Sequence, residues 1–250
     1  DDVDAVVDGY LGGEAGASAM LDVITGKVNP SGKLAETYPM SYDDVPFGDE
    51  YPQPQRNSYY KEGLYVGYRY YSTAKVPVRF PFGYGLSYTT FEYSNLKVHD
   101  DGVEFDVKNT GKVDGAEIAQ LYVGKKKSNL IRPVRELKGF TKVMLEPGEN
   151  KTVKISFDDK TFRFWDVKTN AWQVEGGEYQ IMVGANVNDI KLHGTVTKKG
   201  TIETQADPRL QAYQDCQLDK ADDSTFAVLL GHQLPKNDFH PGQALKYNDT

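Results

Sequence analysis

The sequence predicts a mainly β protein: an antiparallel β-sandwich, preceded by a partial α/β segment and followed by a short helical tail. Three observations support this prediction. From Phe91 to about residue 198, apolar and polar residues alternate with the period of two that half-buried strands show. Residues 15–24 repeat apolar side chains with helical spacing. Between these regions, residues 57–91 are rich in tyrosine and glycine, and we interpret them as the seam between two domains.

The N-terminal region predicts one β-α unit. The apolar run from Val3 to Val7 ends at Asp8-Gly9 and indicates a buried parallel strand. Residues 15–24 predict a helix that ends near Gly26, with Glu14 at its start, where the helix dipole favours an anion. Because one such unit cannot form a stable sheet, either its neighbours are missing, as in a piece of a longer protein, or it packs on the seam.

The next segment is predicted to be irregular. Asn29-Pro30-Ser31-Gly32 has the composition of a turn, and the extended residues after it end at Pro39. Residues 39–55 contain four prolines and several acids, which is typical of a long surface loop.

Five later stretches alternate and predict the strands of the sandwich. Their expected inward-facing residues are Leu96 and Val98; Val103, Phe105 and Val107; Ala119, Leu121 and Val123; Val153, Ile155 and Phe157; and Tyr179, Ile181 and Val183. Turn residues separate the stretches, so we predict a fibronectin type III or immunoglobulin-like sandwich. The Cys…Trp…Cys pattern of antibody domains is missing, and Trp165 and Trp172 are expected at core or inter-sheet positions.

After about residue 200 the alternation stops. Asp207-Pro208 resembles a helix start with proline in the first turn, and the apolar run from Phe226 to Leu230 ends at Gly231. These features predict a helical C-terminal extension.

Composition excludes several classes of function. The formal net charge of −7 argues against nucleic acid or an anionic membrane surface as a partner, and Lys125 to Lys127 suits a solvated hairpin tip. One cysteine and four scattered histidines provide no metal-ligand spacing, and no cofactor motif is present. No apolar run is long enough for a membrane span. The start DDVDAVVDGY lacks the pattern of a signal peptide, and cytoplasmic and secreted bacterial locations both stay open.

Several blocks resemble glycoside hydrolase family 3, which consists mainly of bacterial β-glucosidases and their relatives. They are GYLGGEAGASAMLDVITGKVNPSGKLAETYP, YKEGLYVGYRYY and FPFGYGLSYTTF, and then VEFDVKNTGKVDGAEIAQLYV and RPVRELKGFTKVMLEPGENKTVKISF. The resemblance implies three parts. Residues 1–90 would be the end of the family's α/β sandwich domain plus a tyrosine-rich junction, residues 91–198 would be its fibronectin type III-like domain, and residues 199–250 would be a helical C-terminal extension. A TIM-type barrel would precede them, or follow in permuted members.

The resemblance also implies where the chemistry lies. Family members are similar to other retaining glycosidases, in which two carboxyl groups act as nucleophile and acid/base. The aspartate and glutamate motifs of the family have no counterpart in residues 1–250, so we assign no catalytic residue and expect this chain alone to be inactive. The parent would hydrolyse terminal β-D-glucosides or oligosaccharides through the missing domains. The present chain would pack on the barrel and α/β domains and brace them.

Residues of the seam are the candidates for substrate or interface contact. Tyr59, Tyr60 and Tyr65 could stack on a sugar ring or pack in the seam, where their hydroxyls would be hydrogen-bonded at the rim. Glu62 and Arg69 could form a structural ion pair or contact a sugar. We expect part of this surface to lie uncovered without its barrel partner, which would favour self-association or dye binding.

Two other readings stay open. A stand-alone carbohydrate-binding sandwich would need an aromatic platform, for which Trp165 and Trp172 are the candidates. A cell-surface spacer would use the sandwich for protein contact. Neither hypothesis explains why the NPSGKL block is joined to a tyrosine-rich seam.

Overall fold

The computed structural model describes residues 3–48, 60 and 62–205, and it confirms a mainly β fold. The helices are α1 (Gly16–Ile24) and α2 (Tyr68–Ala74), and a 3-10 turn spans Tyr42–Asp44. The strands are β1 (Tyr38–Pro39), β2 (Val78–Phe80), β3 (Phe91–His99), β4 (Gly102–Asn109), β5 (Gly115–Gly124), β6 (Glu136–Leu145), β7 (Asn150–Ser156), β8 (Arg163–Asp166), β9 (Ala171–Val174), β10 (Gly177–Gly184) and β11 (Ile190–Lys198).

Two antiparallel sheets form the sandwich. One has the strand order β11-β10-β5-β6, and the other has the order β3-β4-β7. Two further pairs, β1-β2 and β8-β9, stand outside these sheets. Every strand pairing is antiparallel, as the short turn-separated stretches of the sequence predict.

The core lies between the two sheets and consists of the alternating apolar residues. Phe105, Val107, Leu121 and Ile181 are completely buried, and the aromatic rings of Phe162 and Tyr179 meet edge to face at one end. The predicted inward sets are therefore confirmed for β4, β5 and β10. Because residues with period two point to one face of a strand, the pattern sets which side chains enter the core.

The N-terminal region differs from the prediction. Helix α1 forms as expected, and Gly26 follows it with φ +75°. The predicted strand from Val3 to Val7 is wrong: these residues form no strand, and Val3 and Val6 are 71% and 69% exposed. A parallel strand needs neighbours on both sides to satisfy its backbone groups, and the described residues offer it none. Glu14 lies exposed in the turn before α1.

The placement of the tryptophans also differs from the prediction. Trp165 and Trp172 are register partners on the β8-β9 hairpin and are exposed rather than in the core. Their strands belong to neither sheet of the sandwich, so the alternation there has no core to face. The predicted helices after Asp207 lie outside the described residues.

Candidate functional site

The two sequence blocks 29–39 and 78–89 lie side by side, and we call this region the junction. Leu34 and Tyr84 are joined by a hydrogen bond from the backbone N–H of Leu34 to the Tyr84 carbonyl, 2.8 Å long. The N–H of Gly83 in turn donates to the Leu34 carbonyl at 2.8 Å. Strands β1 and β2 continue the pairing through Tyr38 and Phe80. The junction is therefore a backbone-paired contact between segments about fifty residues apart.

Asn29 fastens the junction to the sandwich through both ends of its side-chain amide. Its Oδ1 accepts hydrogen bonds from the backbone N–H of Tyr88 at 2.8 Å and from Ser87 Oγ at 3.0 Å. Its Nδ2 donates to the carbonyl of Asp114, in the turn before β5, at 2.9 Å. One side chain thus joins the N-terminal segment, the seam and the sandwich.

Lys33 adds a charged contact a few residues further along. Its Nζ lies 3.4 Å from Oε2 of Glu117 on β5, and both side chains are almost completely buried. Tyr93 donates its hydroxyl to the same carboxylate at 2.7 Å. Burial, together with the charge and the hydrogen bond of Glu117, raises the pKa of Tyr93 well above its ordinary value. The phenol therefore stays protonated and remains a donor to Glu117.

Gly83 lets the junction backbone approach β5 closely. A Cβ at Gly83 would lie 2.1 Å from Oε1 of Gln120, and the residue has φ +80°. The Gln120 amide donates to the carbonyls of Gly83 and Ala185 at 3.0 and 2.8 Å, and its Oε1 accepts from the Tyr122 hydroxyl at 2.6 Å. Gly83 thus permits a close approach to β5 that a side chain would block.

The tyrosines of the seam form two groups around α2. Tyr65, Tyr70 and Tyr71 are buried with Ala74 in a small cluster of their own. Tyr68 instead stacks on Phe82, with ring centroids 4.6 Å apart. Its hydroxyl accepts a hydrogen bond from the N–H of Leu137 on β6 at 2.8 Å, so the side chain links α2 to the sandwich.

The sequence-predicted site residues are only partly brought together. Tyr65 is 2% exposed and belongs to the core cluster, whereas Tyr60 is 91% exposed. Burial raises the pKa of Glu62. Arg69 donates from Nε to the Val66 carbonyl at 3.4 Å, and Glu62 and Arg69, both described, form no ion pair with each other. Tyr59 lies outside the described residues.

A half-open cavity of about 260 Å³ lies beside α2. Its wall includes the rings of Tyr68 and Tyr71, together with Thr37 and Arg135. Within the described residues, Thr37 Oγ1 and Arg135 Nε are buried without a hydrogen-bond partner, and Arg135 donates from Nη1 to the Val187 carbonyl at 2.6 Å. Burial lowers the pKa of the Arg135 guanidinium. The cavity contains donors but, within the described lining, no carboxylate.

The N-terminal segment presents apolar side chains on the outside. Leu11, Leu21 and Ile24 are 102%, 60% and 61% exposed, and no residue of α1 is buried. Hydrogen bonds also tie residues 8–23 to the junction: the Tyr38 hydroxyl donates to Asp8 Oδ2, the Ala35 N–H donates to the Tyr10 hydroxyl at 3.4 Å, and the Tyr88 hydroxyl donates to the Val23 carbonyl at 2.7 Å. The bond to Asp8 raises the pKa of Tyr38 to about 12.

The contacts at the junction are hydrogen bonds, aromatic packing and the Lys33–Glu117 ion pair. Among the described residues, no group of three or more His, Cys, Asp or Glu side chains could hold a metal ion. The helices of this described part lack the length and apolar content of a membrane span. Glu117 has the Lys33 ammonium and the Tyr93 hydroxyl as partners, and Asp8 has the Tyr38 hydroxyl.

Sequence reasoning missed the roles of Asn29, Lys33 and Gln120. The sequence predicts Asn29 only as part of a turn. An amide directly before proline, within one of the blocks that carry the family resemblance, was nevertheless a signal for a structural contact. Glu117 lies on the same face of β5 as Ala119 and Leu121, whereas Gln120 lies on the opposite face. Both are buried polar residues, and polarity alone does not reveal burial. The exposure of Trp165 and Trp172 was likewise missed.

Comparison with known proteins gives matches to two domain families in different parts of the chain. The glycosyl hydrolase family 3 C-terminal domain matches residues 1–88, and the fibronectin type III-like domain matches residues 117–187. The chain is 43% identical over 242 residues to thermostable beta-glucosidase B of Acetivibrio thermocellus, covering 94% of this chain and 32% of that protein. It is also 43% identical over 219 residues to an exo-alpha-(1->6)-L-arabinopyranosidase of Bifidobacterium breve, covering 86% and 29%.

The solved structures that resemble this chain include beta-glucosidases as well. A family 3 beta-glucosidase from Bifidobacterium adolescentis is similar with a TM-score of 0.71 and 43% identity, covering 76% of this chain and 29% of that one. Beta-glucosidase 3B from Thermotoga neapolitana, in complex with alpha-D-glucose, has a TM-score of 0.68 and 40% identity, covering 74% and 27%. The chain spans about a third of the length of the curated relatives it matches.

Proposed function

Because this chain belongs to glycosyl hydrolase family 3, as its C-terminal domain and fibronectin type III-like domain, we propose that it acts within a β-glucosidase as a non-catalytic support for the catalytic domains. The catalytic carboxylates come from other parts of that enzyme. The chain's own contribution is to hold its N-terminal segment in place against the sandwich, so that the segment's outer surface is presented to the catalytic domains.

The single observation that carries this proposal is the two-sided character of the N-terminal segment. On its inner side, Asn29 and Lys33 fasten it to the sandwich. On its outer side, Val3, Leu11 and Leu21 are exposed. Several large exposed apolar groups within one short segment are typical of a surface that another part of a protein covers. A stand-alone carbohydrate-binding module or a cell-surface spacer has no need of this fastened, one-sided segment, so neither is favoured.

The proposal assigns roles to the parts of the chain. Residues 1–90 complete the α/β domain and form the junction, residues 91–198 form the fibronectin type III-like domain, and residues 199–250 are an extension. Tyr59, Tyr60, Glu62 and Arg69 contact the catalytic domains or the substrate bound there. Tyr65 supports them from the core cluster.

The proposed substrate is a terminal β-D-glucoside, cleaved with retention of configuration by two carboxyl groups of the catalytic domains. Several relatives named beta-glucosidase support this class. A relative of equal identity is named an arabinopyranosidase, so the sugar is chosen by parts of the enzyme outside this region. This fits the proposed supporting role.

The experiment compares this chain alone with a longer protein that contains it, using p-nitrophenyl β-D-glucoside. We expect no turnover above the blank by the chain alone, with a cooperative thermal unfolding transition as the control that it is folded. The longer protein should be active, and Asn29→Ala in it should lower the temperature at which activity is lost. Hydrolysis by the purified chain would refute the proposal.

A further inference from the structure

The exposed tryptophan pair on the β8-β9 hairpin carries a further inference. Trp165 and Trp172 are directly opposite each other in the register, with ring centroids 5.4 Å apart and ring planes at 76°. They are 46% and 53% exposed, so about half of each side chain's surface remains in water. They are also the two tryptophans of the whole chain. A cross-strand aromatic pair accounts for hairpin stability, but not for exposing this much aromatic surface.

Polar side chains lie on the same face of the hairpin. Arg163 precedes Trp165 by two residues and therefore points to the same side, and its guanidinium lies 4.3 Å from the Trp172 ring centroid. Asp159 holds this guanidinium through a 2.8 Å hydrogen bond, and its carboxylate side chain is 75% exposed. The hairpin face thus combines aromatic faces with a fixed donor and an accessible acceptor.

We propose that this face, formed by Asp159, Arg163, Trp165 and Trp172, is a secondary glycan-binding surface on the fibronectin type III-like domain. A pyranose ring presents a C–H face that packs on an aromatic ring, and hydroxyl pairs at its rim that bind carboxylate and guanidinium groups. Aromatic side chains supply large contact area at small entropic cost because they have few rotatable bonds. The choice of a glycan as ligand rests on the proposed function, in which the chain belongs to a glycoside-cleaving enzyme.

The angle between the rings selects among glycans. A β-1,4-linked glucose chain is a nearly flat ribbon, so two rings at 76° cannot both lie parallel to it. A β-1,3-linked chain turns from residue to residue and presents successive faces in different directions. The surface therefore favours a β-1,3-linked glucan over a β-1,4-linked one.

The test is a titration of the full 250-residue chain with laminarihexaose and cellohexaose. Because both tryptophans are in the proposed surface, intrinsic tryptophan fluorescence reports on it directly. We expect a saturable change with laminarihexaose, with a Kd of about 1 mM, and a weaker response to cellohexaose. No response to either glycan would overturn the proposal, and equal or stronger binding of cellohexaose would overturn the angular argument.

Calorimetric titration of variants completes the test. Trp172→Ala should weaken laminarihexaose binding by about tenfold or more, and Trp172→Phe should retain part of it. Phe140→Ala is the matched control, since Phe140 is an exposed aromatic residue on β6, outside the hairpin. Unchanged binding in Trp172→Ala would overturn the proposal, as would a fluorescence change that depends on protein concentration alone and indicates a second copy on this face.

The result is distinguishable from a failure of the proposed function. Glycan binding by this chain requires no catalytic domain. Hydrolysis of p-nitrophenyl β-D-glucoside by the longer protein tests the proposed function without the hairpin, so either proposal can fail while the other holds.

Discussion

Lys33 and Glu117 form an ion pair that joins the N-terminal segment to strand β5 of the sandwich, with 3.4 Å between Nζ and Oε2. The two side chains are only 12% and 4% exposed. A carboxylate this deeply buried is tolerated because a cation and the Tyr93 hydroxyl both reach it. The charge pair therefore determines where the segment can dock.

Removing the lysine charge should destabilise the protein strongly. Lys33→Met keeps the length of the side chain but leaves the buried Glu117 charge without its cation, which should cost about 3–5 kcal/mol of unfolding free energy. Urea denaturation measures this loss. The double variant Lys33→Met with Glu117→Gln is the control, and it should recover part of the loss because no charge remains buried. Wild-type stability in the single variant would contradict this account.

A matched pair of glycines separates steric clash from backbone strain. Gly83 and Gly148 have nearly the same φ, +80° and +79°. An added Cβ would meet neighbouring atoms at Gly83 but not at Gly148. Gly148→Ala should lose about 1 kcal/mol from the left-handed conformation. Gly83→Ala should lose a further 1–3 kcal/mol or so because it displaces Gln120. Thermal and urea unfolding measure both variants, and equal losses would show that the close approach is unimportant.

Tyr68 should prove a strong contact between α2 and the sandwich. Tyr68→Ala removes the stacking on Phe82 and the acceptor for the Leu137 N–H, and should cost about 1–4 kcal/mol. Tyr68→Phe should cost less, because only the hydrogen bond is lost. Tyr60→Ala, at a 91% exposed position, should stay within about 0.5 kcal/mol of wild type. An unchanged melting temperature in Tyr68→Ala would show that α2 is not held by this ring.

The buried tyrosines predict a loss of stability at alkaline pH. Burial raises the pKa of Tyr93 and of Tyr122 above the ordinary tyrosine value. The folded protein therefore keeps both phenols protonated at a pH where the unfolded chain ionises them, and the stability they contribute is lost as the pH rises above about 10. Urea denaturation between about pH 8 and 11 measures the slope. Tyr122→Phe should make it shallower; the same slope in wild type and variant would assign the effect to other groups.

The sandwich was predictable from sequence, because its core depends on a repeating pattern. Phe105 and Val107 alternate with polar neighbours, and a strand with one buried face leaves no other register. The same reasoning was wrong for Val3 to Val7. An apolar run indicates that its side chains are covered, but it does not indicate which part of a protein covers them. The pattern at Trp165 and Trp172 was ambiguous in the same way, since alternation does not show whether a hairpin lies against a core.

The candidate site was less predictable than the fold. The NPSGKL and FGYGLSY sequences belong to the blocks that carry the family resemblance. In the structure, these sequences make contacts through Asn29, Lys33 and Gly83. These contacts join residues 50 to 90 positions apart. Local spacing carries no information about such pairs, whereas it does carry information about helices and strands.

The junction meets β5 and the turn before it at three places: Asn29 at Asp114, Lys33 at Glu117 and Gly83 at Gln120. With a rise of about 3.3 Å per extended residue, these anchor points extend over about 20 Å of the chain. A body attached along such a line cannot pivot about any one point, so a torque applied to the N-terminal segment is passed to β5 as a whole. In a longer protein that contains this chain, we therefore expect domain movements to bend at a place other than this boundary.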